Sequence, residues 1–312
     1  MDKIPPLHER QAQAALGLRV SAVVVARDAG PGVDLCLRSA IAEPWIDDIV
    51  VVDHGNSPDI SSALRAMQAD RRDMKLITVD RAKSHAFAAN RGVEQARGRW
   101  VLFLDPDVVL QRGAVARLAA VGGAVRTTPP WIAGGLLMDT EGRDRRAVRA
   151  GELTTWSAVA VAMNLPGPKM VRKGAKKRKA VSDDEGEAIA DPQSEATKVA
   201  AVSGAFMMIQ RSDFEALNGF DEEFQSHGAD LDLCRRATEH GGSVLFHPAA
   251  TGVQFLRPPS RGRREAQGLA RFAQNSAKTR WEKAFGRIAE PAFAVLVWLR
   301  DAVGGRPPVS RR

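Results

Sequence analysis

Four short apolar runs, separated by stretches with helical spacing, constrain this chain more than anything else in it. The runs are Val20–Ala26, Ile49–Asp53, Leu76–Val79 and Trp100–Leu104, and the helices between them read as Gly32–Ala42, Ser61–Ala69 and Ala86–Ala96. Repeated strand–helix units with apolar strands predict an α/β fold, a parallel sheet covered by helices. Open sheets of this class bind ligands in the crevice beyond the carboxyl ends of their strands. Asp28, Asp53, Asp80 and Asp105 fall at or just past those four ends. One acid there would carry little information; four along one edge predict a site.

The fourth run closes on Leu104-Asp105-Pro106-Asp107. Side chains at i and i+2 of a strand tip point the same way. Asp105 and Asp107 can therefore offer hard oxygen ligands to one divalent cation, Mg²⁺ or Mn²⁺, whose remaining positions take water or a diphosphate. The other reading of the same pair is a solvated turn in which an Asp caps the following helix.

Past Thr127 the pattern changes to mixed strands, expected at Trp131–Met138 and Val199–Gln210. Between them, roughly from Pro166 to Lys198, lies an insertion with a basic cluster (Lys169 to Lys179) followed by an acidic one (Asp183 to Glu187). Having no aromatic residue and no hydrophobic period, it reads as a flexible surface loop. Its basic half resembles a nucleic-acid patch in composition only, and the acidic half partly neutralises it. A flap over a substrate is the other use for such a segment.

Charge is unevenly spread. The formal net charge is +8, yet Leu256–Arg312 alone holds thirteen Lys or Arg against four Asp or Glu. The remainder is nearly neutral, which argues against a nucleic-acid-binding body and for a basic tail that meets something anionic. Within that tail, Glu265–Arg287 reads as one basic amphipathic helix and Ala292–Leu299 as eight apolar residues ahead of Arg300. Eight are too few to span a bilayer but enough to lie in its interface; the alternative is a helix packed on the main domain. Met1–Leu18 lacks the apolar core of a signal peptide. Cys36 and Cys234 read as reduced packing residues, so a cytoplasmic protein is expected, with peripheral contact to the inner face of the membrane through the tail.

Three blocks occur in order: Val50-Val51-Val52-Asp53-His54-Gly55-Asn56-Ser57; then Asn90-Arg91-Gly92 with Ala96-Arg97-Gly98-Arg99-Trp100 running into Asp105-Pro106-Asp107; then Ser203-Gly204-Ala205-Phe206, Gly219-Phe220-Asp221-Glu222-Glu223-Phe224 and Asp230-Leu231-Asp232-Leu233-Cys234. Together they resemble the inverting glycosyltransferases of family two, in particular their rhamnosyltransferase-like bacterial members. The resemblance covers about residues 19–255, leaving 1–18 as an N-terminal extension and 256–312 as a helical tail. It implies the GT-A fold, a nucleotide-binding parallel sheet merged with a smaller mixed sheet. It also implies transfer of a sugar from a nucleotide-diphosphate donor to a glycan or lipid-linked glycan, as in cell-envelope or exopolysaccharide synthesis.

The resemblance assigns roles residue by residue. Asp53 would accept hydrogen bonds from the base or ribose, with Asp28, Asn90 and Arg91 beside the same nucleotide. Asp105 would meet the ribose or a metal-bound water, and Asp107 the metal. Gly204 and Ala205 would leave room for the donor sugar. Asp230 would be the base that takes the acceptor's proton, and Asp232 would support its helix. Two positions depart from the pattern: Ala229 stands where the family has Glu, and Gln254 where many relatives have a metal-binding His. These departures keep a second reading open, a catalytically silent nucleotide-sugar-binding or scaffold protein. The basic segments keep a third, a protein that binds anionic polymers.

Overall fold

A computed structural model describes residues 19–30, 32–124, 129–144, 148–149, 153–155, 158–159, 196–225, 227–255 and 262–303. The strand–helix repeats form as β1 (Val20–Ala26), α1 (Val33–Ala42), β2 (Ile46–Asp53), α2 (Pro58–Ala69), β3 (Met74–Thr78), α3 (His85–Gln95) and β4 (Trp100–Leu104). β2 starts earlier than its apolar run. The reason is polar: Asp47 accepts the backbone N–H of Val20, and buried Asp48 accepts the Ser21 hydroxyl at 2.6 Å. α2 also starts earlier, because Pro58 fits the first helical turn, where no N–H is needed.

β1 pairs with β2 on one side and β4 on the other, β2 pairs with β3, and all three pairings are parallel. The chain thus winds outward from β1 to β3, then returns to the far side of β1. That reversal leaves a topological switch point between β1 and β4. The strands bury both faces. Val23, Val25, Val50, Val52 and Phe103 face α3, while Val20, Ala22, Val24, Ile49 and Val51 face the core shared with α1. α3 approaches closely because Gly92 has no side chain; a Cβ there would overlap Val23 and press on Val52. The glycine of the Asn90-Arg91-Gly92 block is thereby a packing residue.

The second half adds β5 (Val108–Leu110), α4 (Ala114–Ala124), β6 (Trp131–Met138), β7 (Val148–Arg149), β8 (Thr197–Val199), β9 (Ala201–Val202), β10 (Phe206–Gln210), α5 (Arg211–Ala216), α6 (Ala229–Glu239) and β11 (Ser243–Gln254). The described sheet runs β3-β2-β1-β4-β10-β6-β11-β5, with β8 also on β11. β10 lies antiparallel to β4 and to β6, so the mixed half continues the parallel half without a gap. The strand expected over Val199–Gln210 is three pieces. It breaks at Ser203–Ala205, where a turn closes over the tip of β4 and the Asp105 N–H donates to the Ala205 carbonyl. Thr197 and Lys198, expected in the insertion, belong to β8. Residues 166–195 of that insertion, the extension 1–18 and residues 304–312 lie outside the described residues.

The tail also differs from expectation. The single helix over Glu265–Arg287 is two, α7 (Gly262–Ser276) and α8 (Arg280–Val303). Thr279 and Glu282 make a capping box, the Glu282 N–H donating to the Thr279 hydroxyl at 3.2 Å and the Thr279 N–H to the Glu282 carboxylate at 2.8 Å. The chain restarts there and α8 packs along α7, with Ala289, Phe293 and Val297 buried in the core. Among the described residues no helix is long and apolar enough to cross a membrane.

Candidate active site

Three of the carboxylates that the sequence singled out, Asp105, Asp107 and Asp230, come together at the switch point. Asp105 and Asp107 follow the tip of β4. Asp230 lies in the first turn of α6, whose start is set by Gly228 at φ 91°, a left-handed conformation suited to glycine. One Asp230 oxygen accepts the Leu231 N–H at 2.9 Å and the other accepts the Gly204 N–H at 3.0 Å. A Cβ on Gly204 would sit 3.3 Å from the Asp230 Cβ, so this glycine fits close against the carboxylate. Asp105, Gly204, Ala205 and Asp230 line one cavity of about 220 Å³ floored by Val25 and Phe103.

The electrostatics of this cavity favour a cation. Burial, then the charges of Asp107 and Asp230, push the Asp105 carboxyl up to about 7. Cys36 beneath them is buried, and its thiol is raised by burial and the same two β4-tip carboxylates. Both cysteines are unbridged and buried, as expected. The Gln254 amide reaches across from β11 and donates to Asp107 at 3.1 Å. Turned over, that amide would present its oxygen instead, which makes Asp105, Asp107 and Gln254 an all-oxygen donor set. No three His, Cys, Asp or Glu among the described residues converge on a metal position. The set fits a hard cation that takes its other ligands from a bound diphosphate and water.

The nucleotide side is less uniform. Asp53 is buried and bonded within its own loop, accepting the Asn56 amide at 2.8 Å. Asn56 also donates to the Ala26 carbonyl and accepts the Ala29 N–H, so it clamps the ends of β1 and β2 together. Asp28, at φ 48°, pairs with Arg81 at 2.5 Å beyond the same edge. Asp80 is exposed and caps its own turn through the Ala82 N–H. Asn90 and Arg91 lie on α3. Asn90 exchanges hydrogen bonds with the Phe220 backbone and donates to Glu222, tying α3 to the 219–224 turn. Arg91 is paired with Glu94 and lies over the Phe87 ring. Asp232 is buried and bonded by Arg235, Arg236 and Asn275, which makes it the anchor of α6.

Asn56, His85 and His227 went unassigned by sequence reasoning. His85 and His227 line the cavity beside Asp105 and Asp230. Burial, then His54, Arg27 and His227, depress the His85 imidazole to about 4. The available signal was a histidine directly after the Ser84 N-cap of α3, where a first-turn side chain faces the strand tips.

Residues 21–121 match the family described as glycosyl transferase family 2, and residues 188–256 match that described as the N-terminal domain of galactosyltransferase. The succinoglycan biosynthesis protein ExoO of Rhizobium meliloti (strain 1021) is 33% identical over 99 residues, 32% of this chain and 28% of that protein. The rhamnosyltransferase WbbL of Escherichia coli (strain K12) is 32% identical over 59 residues, 19% of this chain and 22% of that protein. The likeness thus spans under a third of either relative. A crystal structure of GalNAc-T7 with UDP, GalNAc and Mn²⁺ superposes with a TM-score of 0.64 at 15% identity, covering 92% of this chain and 54% of that one. That likeness shows the GT-A fold.

Proposed function

We propose, from the premise that the chain carries a family 2 glycosyltransferase domain on a GT-A fold, that it transfers one sugar from a nucleotide-diphosphate donor to a hydroxyl of a glycan or lipid-linked glycan, with inversion. The supporting observation is the meeting of Asp105, from the tip of β4, and Asp230, from the start of α6, in one cavity at the switch point. Polysaccharide biosynthesis is the setting that the two curated relatives suggest.

Asp230 serves as the base. Its two backbone hydrogen bonds fix the carboxylate and leave a lone pair on each oxygen for the acceptor's O–H. As that proton passes to Asp230, the acceptor oxygen bonds to the anomeric carbon from one side. On the other side the bond to the donor's diphosphate breaks, and the nucleoside diphosphate leaves with the electron pair. Asp107, Asp105 and Gln254 would hold a divalent cation, which would supply charge stabilisation to the leaving group. Asn56 holds the strand ends that form the nucleotide's bed, and Gly204 keeps the space beside Asp230 clear for the sugar.

A thermal-shift screen of UDP, dTDP, GDP and their sugars, with and without Mg²⁺ or Mn²⁺, tests the site, since a ligand of the folded state raises its melting temperature. A cation-dependent shift for one nucleotide, lost in Asp107→Ala, supports the reading and names the base to carry into turnover assays. Ala229 and Gln254 favour a specific rival. A nucleotide shift without turnover, unchanged by Asp230→Asn, would assign the chain to silent nucleotide-sugar binding. No shift for any nucleotide would remove the donor site.

A further inference from the structure

Seven large apolar side chains are exposed among the described residues, and five of them lie on α8. Trp281, Ile288 and Val295 recur every seven residues, and Leu299 continues the same stripe. Trp298 stands beside it, with Trp281 85% and Trp298 66% exposed. The opposite face of the helix is the one packed on α7. A helix that is apolar on both faces calls for two partners, and α7 supplies one. Next to Trp298 a groove of about 520 Å³ opens between α7 and α8, walled by Ala266, Pro291, Ala294 and Val297, with exposed Arg263 and Glu290 at its rim, the latter accepting the Gln267 amide at 3.1 Å.

We propose that the outer face of α8 docks this protein on an anionic membrane surface, its tryptophans and aliphatic side chains entering the headgroup boundary and the groove admitting an acyl chain. Charge selects this occupant. Residues 262–303 hold eight Lys or Arg against four Asp or Glu, a net of +4, with Arg263, Lys278, Arg280 and Lys283 all exposed around the two helices. A second copy seated on the same face would set that excess against itself, whereas anionic headgroups neutralise it. The helix cannot span, so it lies along the surface, where exposed tryptophans are at home. The inference stands apart from the sugar-transfer reading, because it rests on none of the cavity residues.

The test is co-sedimentation of the full chain with vesicles of phosphatidylcholine alone and of phosphatidylcholine mixed with phosphatidylglycerol, at low and high salt. Binding to the mixed vesicles is expected, weakened by salt and reduced roughly tenfold or more in Ile288→Glu combined with Trp298→Glu. Tryptophan quenching by brominated lipid in the unaltered protein gives a second reading that needs no variant. Absence of binding and of quenching overturns the proposal. So does a dimer, seen by light scattering, that the double variant dissolves while vesicle binding persists. A nucleotide-induced thermal shift retained in the double variant keeps this outcome separate from any failure of the donor site.

Discussion

At the scale of single residues, the proposed mechanism rests on a division between a carboxylate placed to react and one that holds. Asp230 has backbone partners only and lines the cavity, while Asp232, two residues on, is consumed by Arg235, Arg236 and Asn275. Asp230→Asn is therefore expected to lower transfer by about 10²–10⁴-fold with the nucleotide-induced thermal shift retained; equal activity in the variant would remove Asp230 from the reaction. Gln254 invites the opposite kind of change. Its amide already faces Asp107 from β11, and an imidazole is the stronger ligand for Mn²⁺. Gln254→His should tighten Mn²⁺ binding in calorimetry done with the nucleotide present. Asp105 and Asp107 stood out in the sequence because a strand tip sets their direction locally, whereas Asp230, at a helix start, was singled out by the family resemblance alone. Asn56, His85 and His227 were not, because their roles depend on which loops meet across the sheet. Asn90 shows the limit from the other side: its motif stood out, but its amide is committed to Phe220 and Glu222.

At the scale of elements, boundaries follow polar detail that apolar periodicity does not carry. The parallel strands and their helices were legible because each buries an uninterrupted run. The early start of β2 was not, since Asp47 and Asp48 belong to it through bonds to Val20 and Ser21. Thr279-x-x-Glu282 did hold the signal that splits the tail into two helices, and it went unread beneath a continuous amphipathic pattern. Thr279→Ala should cost about 1 kcal/mol, read as a lower denaturant midpoint at unchanged slope. Asp232→Ala should cost more, about 3–5 kcal/mol, because it takes the buried acid from part-buried Arg236 and leaves part-buried Arg235 with Glu239 alone. If the two substitutions cost the same, Asp232 is not the anchor of α6 that its contacts describe.

At the scale of the whole molecule, the sheet order is what the sequence could not supply. Pairing β10 beside β4 brings α6, more than a hundred residues later, to the carboxyl edge of β1 and β4. The same closure gathers imidazoles where the two halves meet, His54 buried, His85 half-buried and His227 exposed. The Gln225 carbonyl accepts the His85 backbone N–H, while His54 on the β2 loop, His227 ahead of α6 and Arg27 after β1 face the ring electrostatically. Burial first, then His54, Arg27 and His227, keep His85 neutral in the folded chain down to about 4, whereas in the unfolded chain it takes a proton near its ordinary value of 6.5. His54 is depressed in the same direction, by burial and then by Arg27. Below about 6.5 the unfolded chain binds more protons than the folded one, so this contribution is fully present above that pH and is lost as pH falls towards 4. For His85 alone the loss amounts to as much as about 3 kcal/mol. Denaturant unfolding at pH 7, 6 and 5 should therefore show stability falling on acidification, with the slope reduced in His85→Leu. An identical slope in that variant would mean that acid acts on this fold elsewhere than at the junction of its two halves.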